Sequence, residues 1–297
     1  MPSFAASLTG FILRTTGYYR RMYSGGPQFE KNIAKVRAER LAEPDAKMRA
    51  SLNVQKTEFC GRPVWHLAPK ERETSAHVLF WHGGGYVYPA TPVHWKFLAH
   101  MAQVHGWAIT APLYPLAPES NATTTTKWAL DFYREYIAER GGNPFVMSGD
   151  SAGGGLTAAL VQMARDGGLA LPAALIPINP WLNLDPAHPD QVGIEPRDGI
   201  LTISGISQGG RLYAGDLPLT DPRCSPIFGG WNALPPILAF GGGDDILVTD
   251  ARALKSKHPS VEYVELPGML HDWPIFNFPE SRSAQAQMAD FARRAVT

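Results

Sequence analysis

The chain of 297 residues is 44% apolar and 18% charged, with 27 basic residues against 27 acidic ones. That length allows one large core or two modest ones, and the cancelling charge, free of long one-sign runs and of recognition motifs, excludes a nucleic-acid footprint. No apolar run approaches the roughly 20 residues needed to span a bilayer, and two distant cysteines, Cys60 and Cys224, without metal-type spacing read as a reducing, cytoplasmic compartment rather than a disulfide framework.

The N-terminal stretch FAASLTGFIL (4–13) is mildly apolar, but its arginines follow it instead of preceding it, so a helix is predicted and not a signal peptide. Phe4, Leu8, Phe11, Ile12, Tyr19 and Met22 fall on roughly one helical face, which predicts a helix packed on its own protein. The alternative is a membrane-surface helix with Arg20 and Arg21 near lipid. A second helix is predicted over 29–41, with Phe29, Ile33 and Val36 on one face and Pro44 closing it. VQKTEFC (54–60), the turn GRP (61–63) and VWHLAP (64–69) read as an antiparallel hairpin.

Two fuller apolar strands follow, HVLFW (77–81) and WAITAPLY (107–114), with a helix between them over 92–105. From there strands and helices alternate. A helix over 127–140 leads to the strand PFVMS (144–148), and a helix over 154–167 leads to the strand 173–181. The strand PPILAF (235–240), a helix over 250–258, the strand VEYVELP (261–267) and a last helix over 281–295 complete the chain. Alternation of continuous apolar strands with helices predicts an α/β protein, a mostly parallel sheet covered on both faces. Residues 1–50 and 185–218 fall outside the alternation. They are expected to form a helical cap over the carboxyl edge of the sheet, where open α/β sheets bind ligands. Residues 51–184 and 219–297 are then the catalytic core.

GDSAG (149–153) lies between a strand and the helix after it, the context of a nucleophile elbow. Its glycines permit a strained turn that lifts the Ser151 hydroxyl out of the sheet edge, with a helix N-terminus behind it. HGGGY (82–86) sits directly behind the strand HVLFW. Acyl transfer passes through an oxyanion that needs N–H donors at close range. The amides of Gly84 and Gly85, with that of Ala152 after the nucleophile, are the expected donors. Gly83 is expected to shape the turn, and a side chain in this loop to block the substrate's approach.

Serine also needs a general base and an orienting carboxylate, in the chain order serine, acid, histidine. After residue 190 only His258 and His271 remain. His258 ends a helix beside Lys255 and Lys257, a place where cations are favoured. His271 lies in PGMLHDWP, between the last strand and the last helix, and is the candidate base. GGGDDILVTD (241–250) offers the acid. Asp250 opens the next helix and suits an N-cap, leaving Asp244 or Asp245.

Together these segments resemble the hormone-sensitive-lipase-like esterases, the bacterial family IV branch of the α/β-hydrolases. HGGGY resembles that family's oxyanion motif and GDSAGG its nucleophile motif. YPLAPE (114–119), DPRCSP (221–226) and LPPILAFGGGDDIL (234–247) resemble further blocks, so the likeness runs from about residue 55 to the end. The resemblance implies an α/β-hydrolase fold with a helical lid. It implies that the acid is the aspartate of a D-x-L pattern, which selects Asp245. It also implies a serine carboxylesterase acting on short- to medium-chain esters through an acyl-enzyme, with no cofactor or metal. The expected partner is a small-molecule ester, with no nucleic acid and no transmembrane segment, and a homodimer is an allowed assembly. An amide or formamide hydrolase could use the same triad, since fold and triad do not fix the leaving group. A ligand-binding hydrolase homologue without catalysis is the other alternative, disfavoured because His271 is present. Two departures stand out. Pro115 replaces a common arginine, removing any ion pair made there, and Asp272 replaces the usual glycine after the histidine, adding a carboxylate at the site rim. Trp181 and Tyr86 are expected to narrow the site.

Overall fold

The computed structural model describes residues 2–39, 41–185 and 188–297. Helices α1 (Phe4–Thr16), α2 (Tyr18–Met22), α3 (Pro27–Ala38) and α4 (Ala46–Ser51) precede the first strand. The hairpin β1 (Leu52–Phe59) and β2 (Arg62–Pro69) follows, then β3 (Ala76–Trp81), α5 (Pro92–His105), β4 (Trp107–Pro112) and α6 (Ala122–Arg140). Next come β5 (Val146–Asp150), α7 (Ala152–Asp166), β6 (Ala174–Ile178), α8 (Pro189–Ile194) and α9 (Ile203–Ala214). The chain closes with β7 (Leu238–Gly242), α10 (Val248–Lys257), β8 (Glu262–Leu266) and α11 (Pro279–Val296).

Among the described residues the strands form one eight-stranded sheet in the order β1-β2-β4-β3-β5-β6-β7-β8. The pairs β1/β2 and β2/β4 are antiparallel, and every later pair is parallel. The sheet is thus the mostly parallel one that the alternation of strands and helices predicts, and it agrees with the α/β-hydrolase fold that the resemblance implies. Helices α6 and α7 pack together, as do α5 and α11, and both α7 and α11 lie over β3, β5 and β6. Helix α7 is buried all round except at Met163, Arg165 and Asp166. Its small residues explain how it sits so close: a Cβ on Gly153 would run into the carbonyl of Trp81.

The sheet order positions the chemistry. From β3 the chain crosses to β4 on one side and then returns to β5 on the other. That reversal opens a crevice at the carboxyl ends of β3 and β5, where ligands bind in open α/β sheets. The pairing Trp81↔Gly149 sets the ends of those two strands side by side. HGGGY, which leaves β3, therefore emerges beside Ser151, which leaves β5.

Several sequence expectations need correction. The N-terminal helix is broken at Gly17, whose φ of 59° is left-handed and ends α1. Only part of its apolar stripe faces the protein: Tyr19 and Met22 are half-buried against the core, but Phe4, Leu8, Phe11 and Ile12 are exposed, and α1 buries Ala6 and Gly10 instead. Small residues let the backbone approach, and the large ones are left outside. Helix α3 stops at Ala38 because Glu39 is already extended, so Pro44 does not close it. The predicted extension to Leu41 runs through Arg40, outside the described residues. The strand expected over 235–240 begins three residues later and ends two later, as β7. Helices α4, α8 and α9 were not expected individually from apolar periodicity.

Candidate active site

Ser151 occupies the turn between β5 and α7 with φ 50° and ψ −118°. This strained, positive-φ conformation is costly for a residue with a side chain. It is held by the Ser151 amide donating to the Ile178 carbonyl at 2.8 Å and by the Ser151 carbonyl accepting from the Trp181 amide at 2.9 Å. The Ser151 hydroxyl is thereby turned away from the strand it terminates.

His271 lies on the loop after β8. Its Nε2 is 2.9 Å from the Ser151 Oγ and its Nδ1 2.9 Å from Asp245 Oδ2. All three residues are buried. Asp245 is over-determined. Oδ2 also accepts from Asn179 Nδ2 at 2.8 Å, and Oδ1 accepts from the Leu247 amide at 2.8 Å. A carboxylate at Nδ1 requires a proton there, so the neutral imidazole presents its lone pair at Nε2 toward the serine. Burial works against the charged imidazole, but the carboxylates of Asp245 and Asp272 outweigh it and hold His271 well above its ordinary value.

The other candidates stand elsewhere. Asp244 pairs at the surface with Arg197 at 3.0 Å. His258 ends α10 and packs on the Trp231 ring. Asp250 is not an N-cap; it lies inside the first turn of α10, where Oδ2 accepts from the amides of Leu182 and Asn183 at 2.7 and 2.8 Å. It pins the chain that leaves β6, and burial pushes its carboxyl up to about 7.

The glycines of HGGGY divide their roles. Gly83 donates its amide to Asp150 Oδ1 at 3.0 Å, and a Cβ there would strike that carboxylate. Gly84 has φ 113°, and its Cβ would meet the Tyr88 carbonyl oxygen at 2.5 Å. The expectation that a side chain at Gly84 would obstruct substrate is therefore corrected: it would obstruct the loop itself. Gly85 lines the cavity beside Ser151. Among the described residues, the Gly84 and Gly85 amides donate to no backbone or side-chain acceptor. The Ala152 amide opens α7, where first-turn amides lack an intrahelical acceptor.

Sequence reasoning missed the supports beneath this loop. Asp150, between Gly149 and Ser151, is buried and lies 3.0 Å from His94 Nε2. The Thr91 amide donates to His94 Nδ1 at 2.9 Å, so the neutral ring carries its hydrogen on Nε2 and donates to Asp150. Tyr114 of YPLAPE donates its hydroxyl to the His82 carbonyl at 2.7 Å, and the Ala117 amide donates to the Tyr86 carbonyl at 2.9 Å. Where Pro115 removes one arginine, Arg37 of α3 reaches in to the Val87 and Ala117 carbonyls and to Glu119. A buried acid next to Ser151 was the one available signal, through Asp150. Asp198, which accepts from the Ile200, Leu201 and Ile246 amides, had none.

A cavity beside Ser151 is lined by Tyr23, Phe29, Gly85, Trp181, Leu201 and Ile206, among others. These side chains leave only a small space beside Ser151. Trp181 narrows the site as expected. Tyr86 does not line it; its ring stacks on Tyr213 at 3.6 Å, behind the wall.

Against known proteins, the sequence pattern of the alpha/beta hydrolase fold family matches residues 78–275. The chain is 31% identical to an acetyl-hydrolase of Streptomyces hygroscopicus, over 76% of this chain and 78% of that protein. It is 29% identical to an ethyl acetate hydrolase of Pseudomonas putida, over 83% of this chain and 81% of that one. A solved esterase of the bacterial hormone-sensitive lipase family superposes with a TM-score of 0.82 over 100% of both chains, at 24% identity, a likeness of fold.

Proposed function

The chain belongs to the alpha/beta-hydrolase fold family and is a carboxylic ester hydrolase, and from that premise we propose that Ser151, His271 and Asp245 carry the reaction. Ser151 Oγ attacks the ester carbonyl while its proton passes to His271 Nε2. The amides of Gly84, Gly85 and Ala152 receive the oxyanion, a contribution of about 2.7–4 kcal/mol per donor in comparable sites. His271 then protonates the departing alkoxide. Water, deprotonated by the same nitrogen, hydrolyses the acyl-enzyme. Asp245 keeps the imidazole in the required tautomer and stabilises its charged form. The observation that carries this reading is the unbroken line of two 2.9 Å contacts from Ser151 Oγ through His271 to Asp245.

Residues 1–50 and 185–218 act as a cap, a reading supported by the cavity walls. Tyr23 and Phe29 come from the first segment and Leu201 and Ile206 from the second. The little free space beside Ser151 favours short acyl groups, and the two relatives just described are named for acetyl and ethyl acetate hydrolysis. Among the described residues no helix is long and apolar enough to cross a membrane. The free thiols of Cys60 and Cys224 are compatible with a cytoplasmic setting. A homodimer would be read directly by sedimentation.

Ser151→Ala is expected to fold normally and lose nearly all ester hydrolysis, and an organophosphate should label the wild type at Ser151. Ser148 is the internal comparison, because its hydroxyl is buried and donates to the Ile176 carbonyl. A label on Ser148, or an active Ser151→Ala, would sink the proposal.

A further inference from the structure

The Nε2 atom of His271 has two neighbours. Besides Ser151 Oγ at 2.9 Å, Asp272 Oδ2 lies 3.1 Å away. Asp272 reaches this position because its backbone is left-handed, with φ 56° and ψ 25°, a conformation that aspartate tolerates better than most residues. Its other oxygen, Oδ1, is buried and has no hydrogen-bond partner among the described residues. A carboxylate oxygen and an imidazole lone pair repel at this distance. A carboxylate this close favours a proton on Nε2, through its charge and not through a hydrogen bond. With that proton in place, the lone pair that Ser151 requires is occupied.

We propose that Asp272 is a positioning residue that holds a proton on the Nε2 side of His271, so that the base becomes available to Ser151 only when that proton leaves. The inference rests on the reading of Ser151 and His271 given above. The proton is lost to solvent as pH rises. Serine then donates to the bared Nε2, and the ionised Asp272 faces the imidazolium formed during attack.

The groups around Asp272 agree with a retained proton. It faces His271 on its own loop, Asp150 at the end of β5 and Asp245 after β7, with Tyr23 beyond α2 and His94 on α5 also near. Burial raises its carboxyl, the His271 charge opposes that, and Asp150 and Asp245 add to it, leaving the group at about 7. The neighbouring carboxylates push in the same sense on the imidazole and favour its charged form. The pair therefore titrates as a unit.

The test is the pH dependence of kcat/KM for p-nitrophenyl acetate. An anion this close displaces a partner's titration by about 1–3 pH units. In Asp272→Asn the acid limb should move down by about one unit or more, so that well below both limbs the fraction of free base rises roughly tenfold or more. Asp272→Gly, which relaxes the left-handed backbone, should show the same displacement and decides the matter if the asparagine variant fails to fold. A merely structural role would lower the plateau and leave the limb in place; an unmoved limb in the folded variant overturns the inference. A second measurement needs no change at position 272. In ¹⁵N-histidine-labelled Ser151→Ala, His271 Nε2 should carry a proton at neutral pH, and a bare Nε2 there would overturn it as well. Residual activity of Ser151→Ala marks the separate failure of the triad reading. An inert Ser151→Ala combined with an unmoved limb removes only the role of Asp272.

Discussion

Asp244 and Asp245 are identical side chains one position apart, and the turn after β7 sends them to different worlds. Asp245 is completely buried, with contacts from Asn179, Leu247 and His271 on its two oxygens. Asp244 is a surface partner of Arg197, whose side chain is half exposed. Residue type alone left both open, and only the D-x-L resemblance separated them. Asp245→Asn is expected to reduce kcat by about 10⁴, the loss seen when a triad imidazole is held in the wrong tautomer. Asp244→Asn removes a solvent-screened pair of the kind worth about 0–1 kcal/mol and should leave kcat near wild type. Steady-state kinetics of the two variants decide between them, and a larger loss in Asp244→Asn would refute the assignment of Asp245.

At the scale of elements, the sequence is most informative where one local requirement dictates several residues. The strand–turn–helix around GDSAG is such a place, since a positive-φ serine and a buried helix start need small residues together. The HGGGY loop is less legible, because its glycines serve contacts made far along the chain, such as Gly83 with Asp150. The N-terminal helix is the least legible. Periodicity locates an apolar stripe but not a surface to cover it, and Phe4 and Phe11 stay exposed. The loop yields a comparison. Gly84→Ala must relieve a 2.5 Å contact with the Tyr88 carbonyl at φ 113°, so the turn has to shift and take its amides with it. Both the thermal midpoint and kcat should fall, the latter by about 10²–10³ if one oxyanion donor is displaced. Gly141→Ala shares a positive φ of 56° but meets nothing within 4 Å. It should cost about 1–2 kcal/mol of stability and leave kcat unchanged. Melting curves alongside turnover separate the two effects. A Gly84→Ala enzyme with wild-type kcat would remove the loop from the oxyanion site.

At the scale of the whole molecule, the space beside Ser151 is closed by segments that no local pattern joins. Tyr23 follows α2, Leu201 precedes α9, Ile206 lies on it, and Leu247 leads into α10. Their meeting depends on tertiary bonds such as Arg20 to the Glu195 and Asp198 carbonyls, both at 2.6 Å, and Thr202 Oγ1 to the Tyr23 carbonyl at 2.5 Å. Two appendages outside the strand–helix alternation were visible in the sequence, but which of their side chains would reach Ser151 was not, because that depends on how they pack on each other. On the proposed reading, the smallness of this space makes the packing a determinant of acyl length. Ile206 is buried and borders the cavity, so Ile206→Ala should open it. Each acyl methylene admitted or refused by an apolar pocket changes kcat/KM by about 10–200-fold. The wild type is expected to favour acetate over hexanoate esters of one alcohol, and Ile206→Ala to raise the hexanoate-to-acetate ratio by about tenfold or more. The substitution also removes core packing, at a cost of about 2–5 kcal/mol. Ratios within one enzyme preparation, measured well below its melting temperature, cancel that loss. A ratio unchanged in the acyl series but altered in a series of alcohols would assign the cavity to the leaving group instead.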